Sequence, residues 1–315
     1  MVKVVAGIDV SKASLDICAA GRTRRFANDA TSWRTLGAWL RGLEVSRVVM
    51  EATGRYHRRV HQCLHDRGFE VVLVNPLRAR RFAEAMGYLA KTDRVDALML
   101  ARLGAVLGDL EPVAPQDAFL NRLEDLLVSR ATHVDARTML RQMAGEVDGE
   151  GETVTRATVA DLDDRIAALD AAIEALIARD PEQAERYSIL TSIPGVGPVT
   201  AAALLCWMSE LGGLDRRQAA ALIGVAPMAD DSGQHHGARH IRGGRRRPRD
   251  LLFMAATSAA RCNGDLKIVF QRLKAAGKAH KVAIVAVMRK LIVLANTLLR
   301  EQRCWSPEAP ARSSA

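Results

Sequence analysis

The sequence predicts an α/β domain at the N-terminus of the 315-residue chain and mostly helical structure after it. Short β-branched runs alternate with helical patterns over residues 1–110, whereas two long helical patterns fill residues 118–180 and further apolar helices fill 185–300. The predicted domains are an α/β domain at 1–112, a helical hairpin at 113–184, a C-terminal helical domain at 185–305 and a flexible tail at 306–315.

The α/β domain is predicted to contain a mixed sheet with helical crossovers. Val4–Val10 is an apolar run, and Leu15–Ala20 follows it closely enough to be its hairpin partner. Pro76 closes the last strand, since proline cannot donate to a strand ladder. In chain order the remaining elements are strand Arg47–Ala52, helix Arg55–Gly68, strand Glu70–Asn75 and helix Asp93–Leu107.

The predicted hairpin turns at residues 148–152. Its second helix has apolar residues at the spacing of a coiled coil: Leu162, Ile166, Leu169, Ile173 and Leu176. This pattern favours self-association, although a monomeric spacer is the alternative interpretation. In the C-terminal domain, residues 192–198 (Ser-Ile-Pro-Gly-Val-Gly-Pro) match the hairpin of a helix-hairpin-helix element. Its Gly195 and Gly197 would let backbone N–H groups approach a phosphate. An ordinary Pro/Gly connection between helices is equally open.

The charge distribution indicates a polyanionic partner. The net charge is +9 and the isoelectric point is near 9.7. Residues 1–110 hold 18 Lys/Arg against 11 Asp/Glu, residues 111–190 hold 8 against 17, and residues 191–315 hold 19 against 8. Two basic regions therefore flank an acidic one.

The cysteines and the apolar segments indicate a cytoplasmic protein without a membrane partner. Five dispersed cysteines without a CxxC pair argue against a disulfide framework and a cysteine-rich zinc site. No secretory pattern is present at the N-terminus, because Asp9 interrupts its apolar run. Arg289 and Lys290 interrupt the apolar stretch 282–299, which favours a buried helix over a membrane span.

Four carboxylates stand at positions suited to metal binding. Asp9 lies in the first strand, Glu51 lies at the end of another, and Asp93 and Asp96 share one face of a predicted helix at spacing i, i+3. Carboxylates that converge from separate elements bind Mg²⁺, and a pair of such ions supports phosphoryl transfer. An RNase H fold would bring these four together. Asp9 could instead contact phosphate and metal in an actin-like phosphotransferase, or be a surface aspartate on a strand. Asp93 and Asp96 could be neutralised by Lys91 and Arg94 in a purely structural role.

The C-terminal domain adds a serine and a basic loop. Ser232 lies in Asp-Ser-Gly, which by local chemistry alone is an ordinary turn sequence. His235, His236 and His240 lack a matching second ligand pair for zinc, so we expect them to contact phosphate or support the loop. Six arginines within eleven positions favour phosphate contacts over a merely solvated surface: Arg239, Arg242, Arg245, Arg246, Arg247 and Arg249.

Several motifs, in this order, resemble those of the Piv-like insertion-sequence transposases, the IS110 family. They are Gly-Ile-Asp-Val-Ser-Lys at 7–12, Met-Glu-Ala-Thr-Gly-Arg-Tyr at 50–56, Lys-Thr-Asp-Arg-Val-Asp-Ala at 91–97, Ile-Pro-Gly-Val-Gly at 193–197, Gly-Val-Ala-Pro at 224–227, Asp-Ser-Gly at 231–233 and Arg-Gly-Gly-Arg at 242–245. The resemblance covers almost the whole chain. It implies a RuvC-like domain, a coiled-coil connector and a C-terminal transposase domain.

The resemblance also implies roles and partners. Asp9, Glu51, Asp93 and Asp96 would be the DEDD metal ligands, holding two Mg²⁺ ions per site, and Ser232 would be the nucleophile. Donor and target DNA would be paired with a structured guide RNA from the element's flank, in a tetramer built from two dimers. Arg55, Lys91, the two hairpin glycines and the six arginines are the candidate nucleic-acid contacts.

Three other functions remain open from the sequence. A junction-resolving endonuclease of the same fold would use metal-activated water instead of a serine. A non-enzymatic helix-hairpin-helix protein would bind DNA without a metal. An actin-like phosphotransferase would need ATP, and the basic C-terminal arginine cluster argues against it. We expect no nucleotide cofactor, which agrees with the absence of a GxxxxGK[ST] loop.

Overall fold

The computed structural model describes residues 4–52, 54–88, 92–228, 231–232, 235–237 and 239–307, and only the backbone of residues 231, 232, 235 and 236. It separates into two compact units, residues 1–117 and 118–315. The helical hairpin therefore belongs to the same unit as the C-terminal helices. The four-part domain division, with its boundaries at 112, 184 and 305, stays a prediction.

The first unit is a three-layer α/β/α structure. Its elements are β1 (Val4–Val10), β2 (Ser14–Ala19), β3 (Arg22–Ala27), α1 (Ala30–Gly42), β4 (Val45–Glu51), α2 (Arg58–His65), β5 (Glu70–Val74), α3 (Pro76–Ala85) and α4 (Asp93–Val106). The strands form one sheet in the order β3-β2-β1-β4-β5. Strand β2 pairs antiparallel with both β1 and β3, whereas β4 pairs in parallel with both β1 and β5.

Side-chain alternation along β1 and β4 separates two cores. Ile8 and Met50 are fully buried among apolar residues of α1 and α2 on one face. Val49 lies on the opposite face with Leu100 and Leu103 of α4. The mixed α/β prediction is confirmed, and β1 has the predicted bounds. Helices α1 and α3 and strand β3 were not predicted.

Local signals explain where the helices of this unit begin. Asp29 caps α1 by accepting a hydrogen bond from the amide of Ser32 at 2.8 Å. Asn75 caps α3 in the same way, with Pro76 in the first helical turn. Thr92 caps α4 by accepting from the amide of Val95 at 3.3 Å. Asp93 and Asp96 lie in that first turn, where the helix dipole favours negative charge.

The second unit is mainly helical. Its helices are α5 (Ala118–Met143), α6 (Glu150–Ala178), α7 (Pro181–Thr191), α8 (Pro198–Trp207), α9 (Arg216–Leu222), α10 (Arg246–Cys262), α11 (Gly264–Ala275) and α12 (His280–Arg300). Four two-residue strands lie between α9 and α10: β6 (Pro227–Met228), β7 (Asp231–Ser232), β8 (His235–His236) and β9 (His240–Ile241). β6 pairs with β9, and β7 pairs with β8.

The hairpin α5–α6 shares the core of the second unit at its base. Leu123, Leu127, Ile173 and Ile177 are buried in the same cluster as the C-terminal helices. Further along the hairpin, Asp163 accepts hydrogen bonds from Arg137 and Arg141, both at 2.6 Å. The bond from Arg137 is the main reason that the pKa of Asp163 is lowered. The two predicted long helices are present, whereas coiled-coil self-association stays a prediction.

Among the described residues, α12 alone is long and apolar enough to cross a membrane. However, 56% of its most apolar stretch is buried, and Val287, Leu291 and Ala295 pack inside the C-terminal core. It therefore packs as a core helix, as the sequence predicted. All five cysteines lie in described segments, and none of them forms a disulfide.

Candidate active site

Asp9 and Glu51 end up side by side at the same edge of the sheet. β1 and β4 run in parallel, with Ile8 opposite Met50, so Asp9 and Glu51 are the next residues along the two strands. Alternation directs both away from the α1–α2 core and toward the layer that contains α4. Neighbouring strands lie about 4.8 Å apart, which brings the two backbones within reach of a shared ligand.

Helix α4 brings Asp93 and Asp96 to this edge because it packs directly on β1. A Cβ atom on Gly7 would overlap the carbonyl oxygen of Ala97 and the amide nitrogen of Ala101. Only glycine allows this approach of strand and helix. The first turn of α4, which contains both aspartates, therefore begins beside the end of β1.

Arg25 joins this carboxylate edge to the outer strands. It lies on β3 opposite Asp16 of β2, and Asp16 lies opposite Asp9 of β1, so the three residues form one cross-strand row. The Nε atom of Arg25 donates to both Asp16 oxygens at 2.9 and 3.0 Å, and one terminal nitrogen lies 3.1 Å from Asp93. Its hydrogen bond to Asp16 is the main cause of the raised pKa of Arg25.

The donor chemistry of this edge fits Mg²⁺, because all four side chains supply hard oxygen ligands. Within the described residues, which include these four carboxylates, no three acidic, histidine or cysteine side chains lie close enough together to hold one ion. The structure therefore brings the four positions to adjacent elements but does not close a ligand shell. Their assignment as metal ligands stays a prediction.

The segment that contains Ser232 is closed at its base. The amide of Arg245 donates to the carbonyl of Leu222 at 2.8 Å, and Gly224 lies so close to Gly243 and Gly244 that a Cβ on it would overlap the Gly243 oxygen. Pairing of β6 with β9 continues this closure. Ser232 itself lies on β7 opposite His235, and its side chain is outside the described part, as are those of His235 and His236.

Several of the clustered arginines bind other groups of the second unit. Arg245 makes a two-point ion pair with Glu210, at 2.6 and 2.7 Å, and also donates to the carbonyl of Trp207. Burial raises the pKa of Glu210, but the hydrogen bond and charge of Arg245, together with a hydrogen bond from its own backbone and one from Ser209, lower the pKa overall. Arg249 donates to the carbonyl of Gly243 at 2.6 Å.

Arg247 and Arg246 have acidic partners as well. Arg247 lies over the Trp207 ring and 3.3 Å from Glu124, and Arg246 lies 3.5 Å from Asp250. Sequence alone did not reveal these partners, because Glu210 and Glu124 are distant along the chain. Part of the charge of the cluster is therefore engaged within the second unit, although Arg239, Arg242, Arg246 and Arg247 remain exposed to solvent.

The other predicted nucleic-acid contacts are differently placed. A Cβ on Gly195 would lie 2.6 Å from three atoms of Ala259, so this glycine is needed for the packing of its loop on α10. Gly197 is the N-cap residue of α8, and its Cβ position is open. Arg55 is exposed just after β4, whereas Lys91 lies outside the described residues. A phosphate-binding role for the hairpin 192–197 stays a prediction.

Two residues of the carboxylate edge, Asp16 and Arg25, were missed from the sequence. The available signal was the alternation of β2, which places Asp16 on the same face of the sheet as Asp9. Arg25 gave no comparable signal, because it is one of several arginines on an exposed edge strand.

Comparison with known proteins gives two family matches. A profile of the DEDD transposases of IS110 matches residues 6–149, and one described as the transposase IS116/IS110/IS902 family matches residues 187–271. Together the two matches take in most of the chain. The chain belongs to the IS110 family of transposases. It is thus a DNA-recombining enzyme, and the DEDD profile implies an RNase H-like fold, in agreement with the five-stranded mixed sheet.

Individual relatives extend this similarity to the full length. A pilin gene-inverting protein of Moraxella bovis is 29% identical over 96% of this chain and 98% of its own length. A protein of insertion element IS116 from Streptomyces clavuligerus is 30% identical over 49% of this chain and 38% of its own length. A protein of insertion element IS110 from Streptomyces coelicolor is 32% identical over 46% and 35%, respectively.

Proposed function

We propose that the protein is an RNA-guided DNA recombinase that cuts and rejoins donor and target DNA through a covalent link to Ser232. The observation that supports this most is the placement of Asp9, Glu51, Asp93 and Asp96 on β1, β4 and the first turn of α4. Carboxylates grouped at one edge of a sheet can hold the metal ions that assist phosphoryl transfer, and the family acts on DNA.

The four carboxylates would hold two Mg²⁺ ions. When bound, the metal would lower the negative charge that the attacking oxygen meets at the scissile phosphate. The chain supplies the geometry, because Gly7 allows α4 to seat its first turn beside Asp9. The capped N-terminus of α4 keeps Asp93 and Asp96 on one side of that helix.

Ser232 would supply the nucleophile in two balanced steps. In the first, the hydroxyl of Ser232 loses its proton and its Oγ atom forms a bond to phosphorus, while the phosphodiester bond to one DNA oxygen breaks and that oxygen takes up one proton. In the second, a DNA hydroxyl attacks the phosphoserine and releases the serine. The number of phosphoester bonds is conserved, so no nucleotide cofactor is needed.

A guide RNA and a tetrameric assembly belong to the same proposal. Both come from the resemblance of the motifs, and the net charge of +9 is compatible with a nucleic-acid ligand of either kind. The expected location is the cytoplasm, in association with the nucleoid. Recovery of one discrete RNA that maps to the flanking DNA, after purification in moderate salt, would support the guided mechanism.

The decisive experiment is covalent trapping on a denaturing gel. Wild-type protein and Ser258→Ala, a control at another serine of the second unit, should form a protein–DNA adduct with Mg²⁺. Ser232→Ala should form none, and Asp9→Asn should abolish both the adduct and cleavage. Cleavage without any adduct would instead identify a hydrolytic junction-resolving enzyme, and DNA binding without cleavage would identify a non-catalytic protein.

Site-specific inversion is a second candidate outcome of the same chemistry. It is favoured by the similarity to the pilin gene-inverting protein, which extends over 96% of this chain. A plasmid with two inverted recombination sites would separate the two outcomes, since inversion reverses the intervening segment and transposition inserts the element elsewhere.

A further inference from the structure

A concentration of positive charge lies on α11 and the beginning of α12, C-terminal to the arginine cluster of residues 239–249. Residues 264–281 contain five Lys/Arg and one acidic residue, Asp265. We call these five residues the basic corner: Lys267, Arg272, Lys274, Lys278 and Lys281. All five are exposed.

The basic corner differs from the arginine cluster in its pairing. No ion pair joins any of its five side chains to a carboxylate in the described part of the chain. By contrast, Arg245, Arg246 and Arg247 each have an acidic partner. The corner therefore keeps its charge for an external ligand, whereas much of the arginine charge is neutralised internally.

The geometry of the corner concentrates this charge. Lys267 and Lys274 are seven residues apart on α11, which places them on one face with a separation of about 10 Å along the axis. The ammonium group of Lys274 donates to the carbonyl of Lys278 at 3.2 Å, so these two residues are adjacent. An edge-on contact of Phe270 with His280, at 5.5 Å between ring centroids, fixes the start of α12 beside the end of α11.

The first turn of α12 adds to the unbalanced charge. It contains Lys281, has no acidic residue, and its N-cap residue Ala279 offers no side-chain hydrogen bond. Cations at the positive end of a helix dipole are unfavourable without a counterion. A bound polyanion would relieve both this repulsion and the repulsion between neighbouring lysines.

We propose that the basic corner binds the sugar-phosphate backbone of duplex DNA, independently of base sequence. DNA is the polyanion on which this family acts, and exposed lysines on a helical face make point-charge contacts with phosphates without reading bases. This binding would hold the DNA that flanks the reacting site. It needs no metal and no serine chemistry, so it does not depend on the catalytic proposal.

The test measures binding of nuclease-treated full-length protein to random-sequence duplex DNA, in EDTA, by fluorescence anisotropy over a series of salt concentrations. The double variant Lys274→Gln/Lys278→Gln should bind about tenfold more weakly at low salt, and the slope of log K against log salt should fall by about 2. Lys274→Arg/Lys278→Arg retains the charge and should bind like the wild type. Circular dichroism melting checks that all variants are folded.

Lys290→Gln is the matched control for charge loss. Lys290 is exposed on α12, nine residues after Lys281 and therefore about half a turn around the helix from it. An unchanged affinity and slope in the double glutamine variant would overturn the proposal. A loss of log K in Lys290→Gln that is half the loss in the double variant would also overturn it, because each charge would then count equally and binding would follow net charge and not this surface. A loss confined to duplex RNA, with DNA binding unchanged, would show that the ligand was wrongly chosen.

Discussion

Substitution of Gly7 by alanine should separate helix α4 from strand β1. The new Cβ would overlap the carbonyl oxygen of Ala97 and the amide nitrogen of Ala101, and it would lie 2.9 Å from the Cβ of Leu100. The first two atoms belong to the helix backbone and cannot rotate away, so the helix has to retreat by about 1 Å or more. Overpacking costs roughly 1–3 kcal/mol, and with backbone as the obstacle we expect about 3 kcal/mol.

Hydrogen exchange measured by mass spectrometry would localise this effect. Peptides from β1 and α4 should lose protection equivalent to about 3 kcal/mol, whereas peptides of the second unit should be unchanged. Gly42→Ala is the control, because Gly42 ends α1 with no atom within 4 Å of its Cβ position. It should be neutral or stabilising by up to about 1 kcal/mol.

The same variant tests how α4 positions the carboxylates. Metal-dependent cleavage should fall in Gly7→Ala even where the protein remains folded, because Asp93 and Asp96 move with the helix. Wild-type protection of both β1 and α4 in Gly7→Ala would refute the close packing of helix on strand, and with it the argument for how this edge is assembled.

Three further substitutions probe other parts of the chain. Asn296→Ala should destabilise the second unit by about 3 kcal/mol in thermal or urea unfolding, because the fully buried Asn296 accepts from Gly212 and donates to Leu214; Thr297→Ala is its control. Glu210→Gln should cost about 1 kcal/mol at neutral pH. Because the pKa of Glu210 is lowered in the folded state, its contribution to stability is present above the unfolded-state pKa and is lost as the pH falls through the folded-state pKa. In Glu210→Gln, the free energy of unfolding should therefore depend less on pH below about pH 5 than in the wild type. An unchanged pH dependence would contradict the ion pair. Arg25→Ala should tighten Mn²⁺ binding several-fold in calorimetry, because it removes a cation that competes for Asp93, whereas Arg22→Ala on the same strand should not.

The central strands and α4 could be predicted because the sequence of each has a local pattern of apolar residues that indicates burial. β1 and β4 are apolar runs in the middle of a sheet that is covered on both faces, and such runs are visible without tertiary information. Helix α1 could also have been predicted from the sequence, since Asp29 is a capping residue and Trp33, Leu36 and Leu40 follow at helical spacing. Strand β3 could not have been predicted in this way, because only Phe26 of its six residues is buried.

The C-terminal loop shows where sequence reasoning ends. Strands β6 to β9 have two residues each, which is too short for any periodicity. The partner of Arg245 is 35 positions away, so a structural arginine looks the same in the sequence as one that binds phosphate. The four carboxylates were selected by their motifs, but their neighbour Arg25 became evident only when the strands were paired.

The closed base of the Ser232 segment has a consequence for how this part of the chain can vary. Contacts between Gly224 and Gly244 hold the two ends of the loop together. These contacts at the base, and not contacts within the loop, therefore offset the entropy that is lost when the loop closes. The cost of extra residues in such a loop grows only with the logarithm of its length. A change of length between the paired strands β6 and β9 should therefore cost the helical core little stability, whereas Val225 and Gly243 are fixed by their contacts in the core and at the base.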